Sequence, residues 1–275
     1  MRRLCVALAA AIACMLSLAV WAAEDLSLSG GIEQGGLVRG VVPPGTKIEL
    51  DGHAVRVAAD GHFIFGFGRD APEQARLVAT YPDGRRDERD LAVAKRSYDI
   101  QSIKGLPEAM VTPDAATLER IKREAALIGA ARAKSADLAF FEEPLMWPVT
   151  GTITGIYGSQ RILNGSPRAP HLGVDVAAPA GTPVRAAAGG TIVLVEPDLY
   201  FTGGTVIIDH GYGLNSVYVH LQKLAVKLGQ SVRQGEEIGE LGMTGRTTGP
   251  NLHWGLNWYG VALDPERAAG PMPKE

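Results

Sequence analysis

Between residues 30 and 100 the chain is cut into short apolar runs by turn-forming residues, and this punctuation constrains the fold more than any other feature. Runs at 37–42, 47–50, 55–57, 62–67 and 76–81 are separated by Pro43-Pro44-Gly45, Asp51-Gly52 and Asp60-Gly61, and Pro82-Asp83-Gly84 follows the last. Asp-Gly between apolar runs signals a hairpin, because both residues accept the positive φ of a tight turn. Strands at this spacing predict a small β-sandwich. The 34 glycines and the low aromatic content of 6% lean the same way. His53 and His62 border these turns and are expected at the surface. A length of 275 residues suits one or two domains, and 46% hydrophobic against 21% charged residues suits ordinary buried cores.

The first residues read as an export signal. Met1-Arg2-Arg3 is followed by an apolar run over 4–23 and then by Glu24-Asp25. A short basic start, an apolar stretch and small residues near its end describe a cleavable secretory signal over residues 1–22. Val20 and Ala22 suit the two small-residue positions before a cut after Ala22. An uncleaved anchor helix and a lipoprotein at Cys14 are the weaker alternatives, the second because the apolar run continues past Cys14. Cleavage removes Cys5 and Cys14, the only cysteines, so the exported chain has neither disulfides nor thiolate metal sites. It also removes Arg2 and Arg3 and moves the net charge from −3 to −5. No basic surplus exists to hold a nucleic acid, and recognition of an anionic polymer must be local.

Residues 111–140 read as a linking helix between an accessory β unit at 24–110 and a second β unit at 141–268, with a loose polar tail at 269–275. Thr112 is placed to cap the helix, with Pro113 in its first position and Asp114 in its first turn. Leu118, Ile121, Ala125 and Ile128 follow the helical period, and Lys122, Arg123 and Arg132 are expected on a solvated face.

Four of the six histidines fall in the second unit. Around His171 the glycine, the valines and Pro179 oppose a helix, so a strand is expected with His171, Gly173 and Asp175 on one face. Leu172, Val174 and Val176 then take the apolar face. Val217, Val219 and Leu221 alternate with Tyr218 and His220. Leu252, Trp254, Leu256 and Trp258 alternate with Asn251, His253, Gly255 and Asn257. Three strands with polar faces of this kind can line one groove. Two imidazoles and a carboxylate suit a tetrahedral zinc ion that keeps one position open for water, and a further imidazole such as His220 can hold that water or meet a developing oxyanion. Spacing alone favours a structural role for each histidine, because a lone strand histidine is usually structural.

The motifs themselves narrow this. His171-Leu172-Gly173-Val174-Asp175 with the following Ala178-Pro179-Ala180-Gly181-Thr182-Pro183-Val184 resembles the first signature of the lysostaphin-type (LytM-type) zinc peptidases of bacterial cell walls. Asp209-His210-Gly211-Tyr212-Gly213 and Val217-Tyr218-Val219-His220-Leu221 resemble the central signature. Thr248-Gly249-Pro250-Asn251-Leu252-His253-Trp254 resembles the last. The likeness covers roughly residues 145–265. It implies a β-rich domain with an open groove, Zn²⁺ held by His171, Asp175 and His253, and His220 assisting beside it. His210 falls at no ligand position and is expected to be structural. One departure matters. The family's last signature is usually His-x-His, and Asn251 stands where its first histidine would be. Asn can donate a hydrogen bond but cannot carry a proton at neutral pH, and loss of one general acid–base group typically costs about 10²–10⁴-fold in rate.

The resemblance therefore implies an exported zinc endopeptidase, in the periplasm or cell envelope, that cuts peptide bonds in peptidoglycan stems or cross-links. The 157–168 loop is expected to help select the bond. The alternative is a metal-binding but weakly active or inactive member that regulates a partner wall hydrolase. Residues 232–239 also resemble the edge of a biotinyl or lipoyl carrier, but no lysine stands where such a carrier is modified.

Overall fold

The structure is a computed structural model that describes residues 25–103, 114–163 and 165–273. The expected export signal at 1–22 lies outside the described residues, and no described helix is long and apolar enough to cross a membrane.

The chain is mostly β, as the turn spacing predicts. Its first part has seven strands: β1 (Ser27–Gly30), β2 (Leu37–Val41), β3 (Lys47–Leu50), β4 (His53–Val55), β5 (His62–Gly66), β6 (Gln74–Thr80) and β7 (Arg86–Ala92). They form two antiparallel sheets, ordered β1-β2-β5 and β4-β3-β6-β7, around Val38, Ile48, Phe63, Phe65, Leu77 and Leu91. The run Phe63-Ile64-Phe65 is apolar throughout because the first sheet is covered on both faces. Phe63 and Phe65 enter the sandwich core, whereas Ile64, with Leu37, joins the larger core of the second part. Strands β1 and β7 have no counterpart among the expected runs. β7 is nearly all charged, an edge strand whose side chains pair with solvent and neighbours, as in Arg76–Glu88.

β8 (Ile100–Ile103) leads toward the helix α1 (Ala115–Arg132). Asp114, not Thr112, caps α1, its carboxylate accepting from Thr117 N at 2.8 Å. Thr112 and Pro113 lie outside the described residues. Only Ala131 of α1 is fully buried, with Ile128 partly so, and Leu118 is exposed. Arg132 departs from expectation. It is not solvated: its Nε is buried without a hydrogen-bond partner, and burial lowers its pKa.

The second part comprises β9 (Thr152–Gly155), β10 (Gln160–Leu163), β11 (Ser166–Pro167), β12 (Val174–Ala177), β13 (Pro183–Arg185), β14 (Gly190–Leu199), β15 (Gly203–Gly211), β16 (Leu214–Leu224), β17 (Ser231–Val232), β18 (Glu237–Leu241), β19 (Leu252–Trp258) and β20 (Val261–Leu263), then the short helix α2 (Pro265–Ala269). Its main sheet runs β17-β14-β15-β16-β19-β12-β9, with β13, β18 and β20 paired off that path. One face packs on a core built around Trp147, Val174, Val176, Tyr218 and Trp254. The other packs Val193, Ile207, Val217 and Val219 against Ala131 of α1.

Covering both faces overturns two expectations. Tyr218 is not on a polar face but fully buried, its hydroxyl accepting from Ala187 N at 2.8 Å. Leu221 does not share a face with Val217 and Val219. Opposite β15, Gly204 pairs with Leu221 and Val206 with Tyr218, so β16 carries one extra residue between them. This bulge turns Leu221 into the core that holds Tyr218. The expected loose tail is also anchored as far as Met272: Trp147 Nε1 donates to Gly270 O at 2.9 Å, and Gly151 N to Met272 Sδ at 3.4 Å.

Candidate metal centre and active site

Cross-strand pairing brings the site together. Asp175 on β12 pairs with His253 on β19, and His253 pairs on its other side with Val219 on β16. Both side chains stand on the sheet face that carries Val219. His171 is not in the expected strand, because β12 begins only at Val174, and Leu172 is 40% exposed instead of apolar core. The loop before β12 positions the histidine. His171 N donates to Ser159 O at 2.8 Å, and its carbonyl accepts from Gly158 N at 2.7 Å. Arg69 reaches over from the first part to donate Nε–H to Gly158 O at 2.8 Å. β10, in the expected selectivity loop, pairs in parallel with β8.

Three donor atoms converge. His171 Nε2 lies 3.0 Å and His253 Nδ1 2.8 Å from Asp175 Oδ1. Their side chains are 23%, 20% and 25% exposed in the order His171, His253, Asp175, so the cluster opens to solvent. The Nδ1 of His171 lies 3.0 Å from the Ile156 carbonyl. A proton donated there orients the ring with Nε2 toward Asp175 and His253. Burial works to raise the Asp175 pKa, but the hydrogen bonds from His171 and His253 outweigh it and hold the carboxyl well below the usual carboxylate range. Burial lowers the His253 pKa, and the positive charges of His171 and Arg132 push the same way against Asp175. Two imidazoles beside an ionised carboxylate are the donor set that zinc takes.

Two glycines absent from the expected site make room for it. A Cβ on Gly155 would stand 2.5 Å from Asp175 Oδ2, and one on Gly173 would stand 2.7 Å from His253 Nε2. Gly173 stands inside the first motif and Gly155 well before it, and neither position says which side chain approaches.

His220 sits at the β16 bulge with φ 66°, a left-handed conformation that costs a non-glycine residue on the order of 1 kcal/mol. Its N donates to Thr202 O at 2.8 Å, and its Nδ1 lies 2.8 Å from Thr244 O. Burial lowers its pKa, and His253, Asp175 and His171 are near enough for their charges to act on it. Asn251 enters through a bridge to Gly242, and the Thr247 hydroxyl lies 3.1 Å from its Oδ1. His210 is apart from this site. It lies in β15, fully buried, with its ring nitrogens 2.7 Å from Gly189 O and 2.7 Å from Ser216 Oγ. His53 is exposed. His62 is half-exposed, with Nδ1 3.1 Å from Asp60 and 3.8 Å from Glu142 carboxylate oxygens.

Residues 169–265 match the family model described as Peptidase family M23. A solved structure described as a putative peptidase M23 from Pseudomonas aeruginosa is 30% identical, with a TM-score of 0.65, over 88% of this chain and 96% of that one. The chain belongs to peptidase family M23. Curated relatives match over shorter stretches. Peptidoglycan DD-endopeptidase ShyA of Vibrio cholerae is 43% identical over 104 residues, 38% of this chain and 24% of that protein. The lipoprotein NlpD/LppB homolog of Pseudomonas aeruginosa is 39% identical over 119 residues, 43% of this chain and 37% of that protein. The match thus spans between about a quarter and just over a third of these curated relatives. The M23 region contains every expected site residue: His171, Asp175, His220, Asn251 and His253.

Proposed function

We propose that this chain is an exported zinc metalloendopeptidase that cleaves peptide bonds in the stems or cross-links of peptidoglycan. The observation that carries this reading is the convergence of His171, Asp175 and His253 beside His220 in a chain of peptidase family M23. The activity named for ShyA supports the substrate class. Export rests on the signal-like residues 1–22, and it assigns the mature protein to the periplasm or cell envelope.

Zinc held by His171, Asp175 and His253 would acidify a water molecule and polarise the scissile carbonyl. The set is suited to a cation, because burial biases His253 toward its neutral form and the Asp175 carboxyl is ionised. His220 donates Nδ1–H to Thr244 O, which leaves Nε2 to accept a proton and return it to the leaving amine. Its lowered pKa keeps that nitrogen unprotonated at neutral pH. Asn251 can give an amide N–H to the developing oxyanion but no proton.

Asn251 also favours a second reading: a metal-binding protein of low or no activity that regulates a partner wall hydrolase. Digestion of purified peptidoglycan by the zinc-loaded chain beginning after Ala22, followed by mass mapping of the fragments, separates the two. New peptide-bond cleavage products are expected. Bound zinc with no new fragments would overturn the enzyme reading in favour of the second.

A further inference from the structure

The tip of the β14–β15 hairpin carries two adjacent aromatic rings, Tyr200 and Phe201, packed edge to face at 4.9 Å. Each ring lies under an arginine. Arg120 Cζ is 5.8 Å from the Tyr200 centroid, and Arg246 Cζ is 4.2 Å from that of Phe201. The two guanidinium groups differ in charge balance. Arg120 is neutralised by Glu124 at 2.6 Å and Asp198 at 3.1 Å. Arg246 is exposed, and among the described residues no carboxylate lies within ion-pair distance of it. In an acidic chain of net charge −3, surplus carboxylates are plentiful, yet none is placed here.

Arg246 is also held in place. Its backbone N donates to Phe201 O at 2.9 Å. Two residues earlier, Thr244 accepts from Gly204 N and donates to Leu221 O, each at 2.9 Å, and its carbonyl meets His220 Nδ1. One residue later, the Thr247 hydroxyl meets Asn251 Oδ1. The guanidinium therefore sits on the loop that touches both candidate catalytic side chains, spread on a ring that limits its freedom. A guanidinium so placed keeps edge N–H groups for a planar, two-oxygen acceptor.

We propose that Arg246, seated on Phe201, forms a carboxylate-binding subsite on the loop that touches His220 and Asn251, and takes a free carboxylate of the peptide substrate. The proposal rests on the peptide-cleaving reading above for the nature of its ligand. The carboxylate has two possible sources, the C-terminus of a stem peptide or an acidic side chain within it, and both present the same two oxygens.

The test uses the zinc-loaded mature chain and one synthetic stem peptide in three forms: free acid, amidated at the C-terminus, and amidated at its side-chain carboxylates. Calorimetry gives Kd for each form, and cleavage assays give KM and kcat. The parent protein should bind the free acid about 10–100-fold more tightly than one amidated form, the loss expected for a charge-assisted pair. The form that loses affinity identifies the carboxylate. In R246Q the ratio between acid and amide should fall toward one, carried by KM more than by kcat, and R246K should keep part of it. Equal Kd for all three forms in the parent, no measurable binding of any form, or an undiminished ratio in R246Q would each overturn the subsite. The first two outcomes need no variant, so poor folding of R246Q leaves the proposal falsifiable. Selective binding of the acid with no cleavage would support the subsite while overturning the peptidase reading.

Discussion

His171 Nε2 lies 2.8 Å from His253 Nδ1, although 82 residues separate them in the chain. Two ring nitrogens face each other across a carboxylate oxygen, and a divalent cation satisfies all three at once. The zinc-loaded chain should therefore hold one zinc ion at this cluster. His171→Ala, Asp175→Ala and His253→Ala should each lower zinc affinity by more than the roughly 10–100-fold that follows loss of an outer partner. Metal analysis after dialysis against graded chelator measures this, and zinc retained at parental affinity by all three variants would remove the assignment.

Gly155→Ala probes the same cluster from behind. The added methyl carbon would meet the Asp175 carboxylate at 2.5 Å, and the carboxylate must move. The expected result is weakened zinc binding, again about tenfold or more by the outer-partner scale, with an unchanged far-ultraviolet dichroism spectrum. A variant that keeps parental zinc affinity would show that Asp175 is not a ligand.

Asn251→His restores an imidazole where the amide stands. If proton transfer limits the rate, peptidoglycan cleavage should rise by about 10²-fold or more. Rates are compared at equal zinc occupancy. An unchanged rate would mean that His220 already carries both proton steps.

The two parts of the chain are joined by a buried ion pair. Arg96 Nη2 lies 2.9 Å from Asp264 Oδ2, with the side chains 18% and 3% exposed. Asp264 also caps α2 by accepting from Glu266 N and Arg267 N. Arg96→Leu leaves that carboxylate buried without its cation, and unfolding in urea should show a loss of about 3 kcal/mol or more. A loss below about 1 kcal/mol, the scale of a surface pair, would show that solvent screens it.

His210 gives a pH signature. Burial lowers its pKa below the ordinary 6.5, against the smaller opposing influence of the Gly189 carbonyl. Below 6.5 the unfolded chain takes up a proton that the folded chain refuses, so stability is whole above that value and falls as pH drops through it. Urea unfolding from pH 7.5 to 5, with chelator present to remove metal effects, should show this decline. It should be smaller in His210→Gln, and an equal decline in both would exclude His210 as a source.

Much of the fold was legible because turns announce themselves locally. Five strands of the first part follow from Pro-Gly and Asp-Gly punctuation, and Val174, Val176, Leu252, Trp254 and Leu256 are buried as their alternation predicts. What was not legible depends on distant partners. The charged β7 is a strand because β6 lies beside it, not because of its own residues. His171 reaches Asp175 from a loop, although the four-residue spacing suggested a shared strand face. Tyr218 looks polar in an alternating pattern, and only a second covering layer makes its position core. Arg132 looks solvated until α1 is laid on the sheet. The convergence of ligands needs the Asp175–His253 register, which spans 78 residues and leaves no mark in either segment alone.

The extra residue in β16 works like a change of reading frame. Before it, odd-numbered side chains face α1, and after it Leu221 faces the opposite core. Deleting the extra residue would restore regular alternation and leave Leu221 in the core, whereas a straight strand with the residue kept would turn Leu221 and its successors toward α1. Any alignment of this strand with a relative, or any graft of its second half, must therefore be counted separately on each side of His220.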